Sequence, residues 1–236
     1  MADTGAMRPV GILGGMSWES SAQYYTIINR EVRARRGGIV SAPLLMHSFD
    51  FDRIARLQRE GDWDRLGDIL GEAAAGLERA GAELILIATN TMHLVAPRVE
   101  EHISCPLLHI ADPLGEALKA AGHDTVGVLA TRFTMEQPFY AERLAEHGLK
   151  VVVPGEDDRG EIHRIIFDEL CAGQVKDEAR EFYCTVINDL HQRGAQAIAL
   201  ACTEIMLLID QCHSPLPLFD TTALHCRAAV DFALSE

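Results

Sequence analysis

Two short segments carry residues able to move a proton to or from carbon. Ala201-Cys-Thr-Glu-Ile205 puts a thiol, Cys202, just after an apolar run, and Thr89-Asn-Thr-Met-His93 puts a hydroxyl, Thr89, just after another. Inverting a carbon that carries a hydrogen needs a base on one face and an acid on the other. A thiol suits both duties, since it titrates at roughly pH 8.5 and a helix N-terminus lowers that value. Cys202 is expected in front of a helix starting near Glu204, with Thr203 as its N-cap. Free N–H groups there would steady a thiolate or hold a substrate carboxylate. A lone cysteine at a strand end is more often a small buried hydrophobe. The other five, Cys105, Cys171, Cys184, Cys212 and Cys226, keep that structural reading.

Other chemistries find less support. Ten histidines invite a metal, yet no H-x-x-x-H or C-x-x-C pair is present, and Cys212-His213 and His225-Cys226 are adjacent residues whose side chains diverge. No metal site is expected. Gly11-x-x-Gly14-Gly15 mimics a nucleotide loop but lacks the G-x-G-x-x-G spacing and the Walker lysine. It is expected to be a tight turn that brings backbone N–H groups toward a carboxylate.

The elements that must position these groups alternate between strand and helix. Val10-Gly-Ile-Leu13, Pro43-Leu-Leu-Met-His47 and Leu84–Ala88 are strand-like. Ser17 to about Arg36 reads as a helix, with capping chemistry offered by Ser17 or Trp18-Glu19 and Gly37 placed as the C′ residue. Asp64 to Ala80 reads as another, because Leu66, Ile69, Leu70, Ala73, Ala74 and Leu77 recur at helical spacing. Such alternation predicts an α/β protein whose mostly parallel sheets are flanked by helices.

The same order of elements then recurs. Val10 is echoed by Val126, Gly81-Ala-Glu-Leu-Ile-Leu-Ile by Gly194-Ala-Gln-Ala-Ile-Ala-Leu, and Pro106 by Pro217, at offsets of 116, 113 and 111. The 113 offset pairs Thr89 with Cys202, each at the carboxyl end of a buried strand, where α/β proteins place ligands. Two halves facing each other would set them on opposite sides of one cleft. The expected division is a first domain over 1–112, completed by 220–236, and a second over 113–219.

Composition narrows the class. The chain has 236 residues, is 48% hydrophobic and 24% charged, and carries a net charge of −14. Those values fit a globular enzyme rather than a disordered chain. Its densest basic stretch, Arg33-Ala-Arg35-Arg36, suits a solvated helix end better than a nucleic-acid surface. No apolar run approaches a membrane span, no signal peptide precedes Val10, and the scattered cysteines suit reduced thiols, so a cytoplasmic protein is expected.

With these residues in hand, the sequence resembles the aspartate/glutamate racemase family, within the wider aspartate/glutamate/hydantoin racemase group. The motifs that carry the likeness are Gly11-Ile-Leu-Gly-Gly-Met-Ser-Trp-Glu-Ser20, Thr89-Asn-Thr-Met-His93 and Ala201-Cys-Thr-Glu-Ile205. Further matches are Leu108-His-Ile-Ala-Asp112, Thr131-Arg-Phe-Thr-Met-Glu-Gln137 and Ile165-Ile-Phe-Asp-Glu-Leu-Cys171. The likeness is strongest to the branch of L-aspartate/glutamate-specific racemases. It implies two α/β domains related by pseudo-twofold symmetry, a homodimer, an amino-acid substrate held between the domains, and no cofactor.

In the family pattern both bases are cysteines, and the first of those positions is Thr89 here, a substitution the branch shares. A threonine hydroxyl is a far weaker acid than a thiol and is no effective unaided base at neutral pH. Cys202 is therefore expected to deprotonate the L enantiomer well, with a water or another group assisting on the Thr89 side. The resemblance also implies substrate contacts at Asn90, Thr91 and Thr203, a lining loop at Met16 and Ser17, and contacts at Gln58 and Thr131. A side-chain carboxylate should meet a cation; Arg159 is the candidate, and Glu161 or His163 could support proton transfer. Two other functions stay open: a single-cysteine decarboxylase of the arylmalonate decarboxylase type, and a catalytically impaired amino-acid-binding protein.

Overall fold

The computed structural model describes residues 6–235. They form two compact units. One holds the described residues up to His109 together with the C-terminal segment from His225, and the other is Ile110–Leu224.

The first unit begins with β1 (Val10–Gly14), α1 (Trp18–Arg36), β2 (Leu44–Ser48), α2 (Phe51–Glu60), α3 (Trp63–Arg79) and β3 (Leu84–Ile87). A short 3-10 helix, Thr91–Val95, then leads to α4 (Ala96–Glu100) and β4 (Leu107–Leu108). The sheet is parallel throughout, in the order β2-β1-β3-β4. Its central strands are apolar at every position because both faces are covered. Leu13, Ile85 and Ile87 pack with Leu66, Leu70 and Leu77 of α3, while Val10, Ile12, Leu84 and Leu86 pack with Tyr24, Ile28 and Val32 of α1. As expected, Ser17 caps α1, its hydroxyl accepting from the Ser20 N–H, and Gly37 closes the helix at φ 76°.

The second unit contains α5 (Ala111–Ala120), β5 (Thr125–Leu129), α6 (Arg132–Glu136), α7 (Pro138–Glu146), β6 (Lys150–Val152) and α8 (Glu156–Arg164). A π-helical turn, Ile165–Glu169, extends α8 before α9 (Asp177–Gln192), β7 (Ala197–Leu200) and β8 (Leu218–Asp220). The sheet is again parallel, in the order β6-β5-β7-β8. The last helix, α10 (Thr221–Leu234), starts in this unit; from Cys226 onward it packs on the core of the first.

The repeat extends to individual contacts. Ala88 N–H donates to Leu13 O, and at the equivalent positions Ala201 N–H donates to Leu129 O, each at 2.9 Å. Ile85 N–H to Pro106 O is matched by Ile198 N–H to Pro217 O, also at 2.9 Å. Gly11 and Gly127 share one steric reason: a Cβ would lie 2.8 Å from Ile85 Cδ1 in the first and 2.7 Å from Ile198 Cδ1 in the second. Topology, register and packing thus recur in both units, each an α/β layer of a parallel four-stranded sheet flanked by helices.

Candidate functional site

Every candidate residue of the first unit follows the carboxyl end of a strand. Met16 and Ser17, both buried, leave β1; Gln58 lies on α2, after β2; Thr89, Asn90 and Thr91 leave β3. The loop after β1 is locked from within. Gly15, at φ 82°, sits so close to Phe49 that a Cβ would fall 2.3 Å from the Phe49 carbonyl oxygen. The loop is the tight turn expected, and its Gly15 N–H braces it by donating to Ser21 Oγ at 2.7 Å. Gln58 is buried rather than solvated, and its Nε2 donates to Met92 Sδ at 3.1 Å. Thr89 is half-buried, with its carbonyl 2.9 Å from His93 Nδ1.

The second unit presents Thr131 after β5, Arg159, Glu161 and His163 on α8 after β6, and Cys202 and Thr203 after β7. Thr131 is buried, its Oγ1 3.4 Å from Thr134 Oγ1. The α8 trio is engaged in three different ways. Arg159 Nε donates to Glu136 Oε1 at 3.2 Å and its Nη1 to Pro154 O at 2.8 Å. Glu161 takes a two-pronged bond from Arg164, which holds its carboxyl below the usual range. His163 accepts from the Arg132 N–H and packs on Phe133 and Phe167; burial, then the Arg132 charge, pushes its pKa down.

Cys202 departs from expectation in its electrostatics. The segment after it, Thr203–Leu207, is a 3-10 helix of five residues, with Cys202 itself in the capping place and Thr203 already inside. The Thr203 hydroxyl donates sideways to Glu204 Oε2 at 2.7 Å. The Cys202 thiol donates to the same oxygen at 3.0 Å. Burial first, then the Glu204 charge and this hydrogen bond, hold the thiol well above its ordinary pKa. A backbone contact at Glu204 acts the other way and is the smallest influence. The expected lowering by a helix terminus is therefore overturned, first by burial and then by the nearby carboxylate.

This arrangement can release or take a proton at sulfur. At rest the thiol is protonated and can serve as an acid. To serve as a base it must first lose its proton, and Glu204 Oε2 already accepts that hydrogen. A substrate ammonium arriving nearby would offset the carboxylate and favour the thiolate.

Asp210, Cys212 and His213 form the one group of possible metal donors among the described residues, and Cys212 Sγ lies 3.6 Å from His213 Nδ1, so these adjacent side chains converge where divergence is expected. They also cap their own turn: Cys212 N–H donates to Asp210 Oδ1 at 2.9 Å and Asp210 N–H to His213 Nδ1 at 3.2 Å. Among the described residues, no helix is long and apolar enough to cross a membrane.

The Asp/Glu/hydantoin racemase family pattern matches residues 13–229. This chain belongs to that family. Relatives agree with the assignment. A crystal structure of a candidate Asp/Glu racemase from Yersinia pestis is 46% identical, superposes with a TM-score of 0.91 and aligns over 97% of this chain and 100% of its own. An aspartate racemase homologue from Pyrococcus horikoshii OT3 is 34% identical with a TM-score of 0.83, over 97% and 100% of the two chains. The broad specificity amino-acid racemase RacX of Bacillus subtilis (strain 168) is 23% identical over 176 residues, 74% of this chain and 75% of its own. Amino-acid racemisation, an isomerase activity, is the class of reaction that membership in the family supports.

Two residues of this racemase-family chain make contacts with the candidate side chains or backbone that the sequence alone does not predict. The sequence marks Glu204 only as a helix start, although an acid two residues after a cysteine is a visible signal. His93 closes the Thr89 motif, and its contact with the Thr89 carbonyl is local enough to have been guessed.

Proposed function

We propose that the protein racemises L-aspartate or L-glutamate without an organic cofactor, with Cys202 as the principal acid/base and Thr89 at the second proton-transfer position. The observation that carries this reading is the 3.0 Å bond from the Cys202 thiol to the buried Glu204 carboxylate, at the repeat position of Thr89. In the forward step the Cys202 thiol first gives its proton to Glu204 Oε2; the Cα–H bond of the L enantiomer then breaks and its proton passes to the thiolate sulfur. The electron pair remains on a carbanion conjugated with the α-carboxylate. A proton delivered on the Thr89 side, by the hydroxyl or a water it holds, completes the inversion.

Asn90, Thr91 and Thr203 are assigned to the α-carboxylate and ammonium, with Met16, Ser17, Gln58 and Thr131 lining the site. Arg159 is the cation assigned to the side-chain carboxylate, and to bind one it must leave Glu136. Glu161 and His163 are assigned to the same substrate site, where either, in place of Arg159, would support proton transfer. The protein is assigned to the cytoplasm as a homodimer; six cysteines with no disulfide among the described residues support a reducing compartment. Light scattering should return twice the 25.9 kDa chain mass.

The test is α-proton exchange in heavy water, followed by NMR for both enantiomers of aspartate and glutamate. Exchange that requires Cys202 and runs faster from the L side supports the proposal. No exchange with any amino acid rejects it. Consumption of a malonate-type acid instead would favour the single-cysteine decarboxylase.

A further inference from the structure

A cluster of rings lies against the Thr89 motif in the first unit. His93 is 1% exposed, and Tyr24 and His225 are fully buried. His93 Nδ1 stands 2.9 Å from the Thr89 carbonyl oxygen. A backbone carbonyl only accepts, so Nδ1 carries a proton and donates. The His93 ring meets His109 edge-on at 4.6 Å and His225 at 5.8 Å between centroids. His225 is fixed by the same logic: its Nε2 donates to Leu108 O at 2.9 Å, leaving Nδ1 to accept the Tyr24 hydroxyl at 2.8 Å. His109 and His225 are also the two residues at which the chain leaves and re-enters this unit.

The second unit has no counterpart. The 113 offset sets Met206 opposite His93, and Met206 is 41% exposed. There the supporting group is Glu204, which bonds the reactive side chain itself. On the Thr89 side the support is a hook on the backbone of the residue carrying the hydroxyl. Thr89 and Asn90 lie in a bend between β3 and the 3-10 helix, outside any regular ladder. Their placement depends on such contacts, and an ångström of slack in a reacting group can cost about a hundredfold in rate.

We propose that His93 is a positioning residue for the Thr89 side of the reaction, holding the Thr89 carbonyl through Nδ1–H while His109 and His225 hold its ring. The inference rests on the assignment of Thr89 and Cys202 to opposite proton transfers. It separates the two directions: losing the hook slackens the Thr89 loop and leaves the Cys202–Glu204 pair as it is.

The test compares His93→Leu, His93→Asn and His93→Gln. An asparagine amide can occupy the place of Nδ1, whereas a glutamine amide reaches that of Nε2. Two readouts are taken alongside the melting temperature: backbone amide exchange of residues 89–95, and α-proton exchange of D- and L-glutamate in heavy water. His93→Leu and His93→Gln should speed amide exchange in the loop and slow D-glutamate exchange by about tenfold or more, with L-glutamate exchange within about threefold of wild type. His93→Asn should stay within about threefold on every readout. Equal losses for both enantiomers, loop exchange unchanged in His93→Leu and His93→Gln, or His93→Asn failing as His93→Gln does, would overturn the proposal. Should His93→Leu fail to fold, the Asn and Gln pair carries the same comparison. If the wild-type protein exchanges neither enantiomer, the racemase reading falls on its own, and loop amide exchange still decides whether His93 holds Thr89.

Discussion

The Cys202 thiol and the Thr203 hydroxyl donate to one oxygen, Oε2 of Glu204, at 3.0 and 2.7 Å. Glu204 thus raises the pKa of the thiol and is also the group placed to take its proton. Glu204→Gln separates these effects. At neutral pH, α-proton exchange of L-glutamate should fall by about a hundredfold, the usual scale of a lost general base. The midpoint for alkylation of Cys202, followed by mass spectrometry of its peptide, should move to lower pH, because the repelling charge is gone while burial remains. An unmoved midpoint would mean that Glu204 does not govern the thiol.

The raised pKa of Cys202 also sets a sign for stability. Above roughly pH 8.5, where an ordinary thiol ionises, the unfolded chain loses a proton that the folded chain keeps. The folded state then binds more protons, so stability declines as pH rises from that value toward the folded pKa. Denaturant unfolding between pH 7 and 10 should show this decline, and Cys202→Ala should flatten it.

Thr89→Cys should restore a second thiol where the repeat places one. D-glutamate exchange should rise by about tenfold or more, the low end of what a well-placed acid or base contributes, while L-glutamate exchange changes little. NMR of α-proton exchange in heavy water, started separately from each enantiomer, would check this, and equal gains in exchange from both enantiomers would contradict the assignment of sides.

Arg159 offers a specificity test. With Arg159→Met, KM for glutamate and aspartate should rise by about tenfold or more, the scale of a lost charged hydrogen bond, while that for any neutral amino acid turned over stays constant. Glu136→Gln, which frees Arg159 from its present partner, should lower KM for the acidic substrates. Opposite signs in the two variants are the expected pattern.

The duplicated glycines test the repeat energetically. Gly11→Ala and Gly127→Ala should each destabilise the protein by about 1–3 kcal/mol, since neither has room for a methyl group beside its isoleucine. Gly76, inside α3, meets nothing nearer than an Arg79 nitrogen at 3.8 Å. Gly76→Ala should stabilise by about 0.5–1 kcal/mol. Chemical unfolding measures all three.

Much of this was legible because it is local or periodic. The runs that became β3 and β7 are unbroken apolar stretches, and the 113 offset that aligned Gly81 with Gly194 also aligned Thr89 with Cys202. Ser17, by its hydroxyl, and Gly37, by the positive φ it can adopt, mark the ends of α1 locally. What stayed hidden depends on distance along the chain. The partner of Arg159 is Glu136, on another helix, and Gln58 is buried against Met92, 34 residues away. The 3-10 helix after Cys202 spans five residues, too few for a period to separate it from an α-helix. Its charge balance turned on the Glu204 rotamer, which no spacing rule supplies.

The most direct measurement follows loss of the α-deuterium from L-[α-²H]glutamate in ordinary water, for the wild-type protein and for Cys202→Ser. The wild-type protein should wash out the label with a rate that rises with pH through the raised thiol range, and Cys202→Ser should lose at least about a hundredfold of that rate. Washout that survives in Cys202→Ser would show that another group takes the proton and that Cys202 is only a packed side chain.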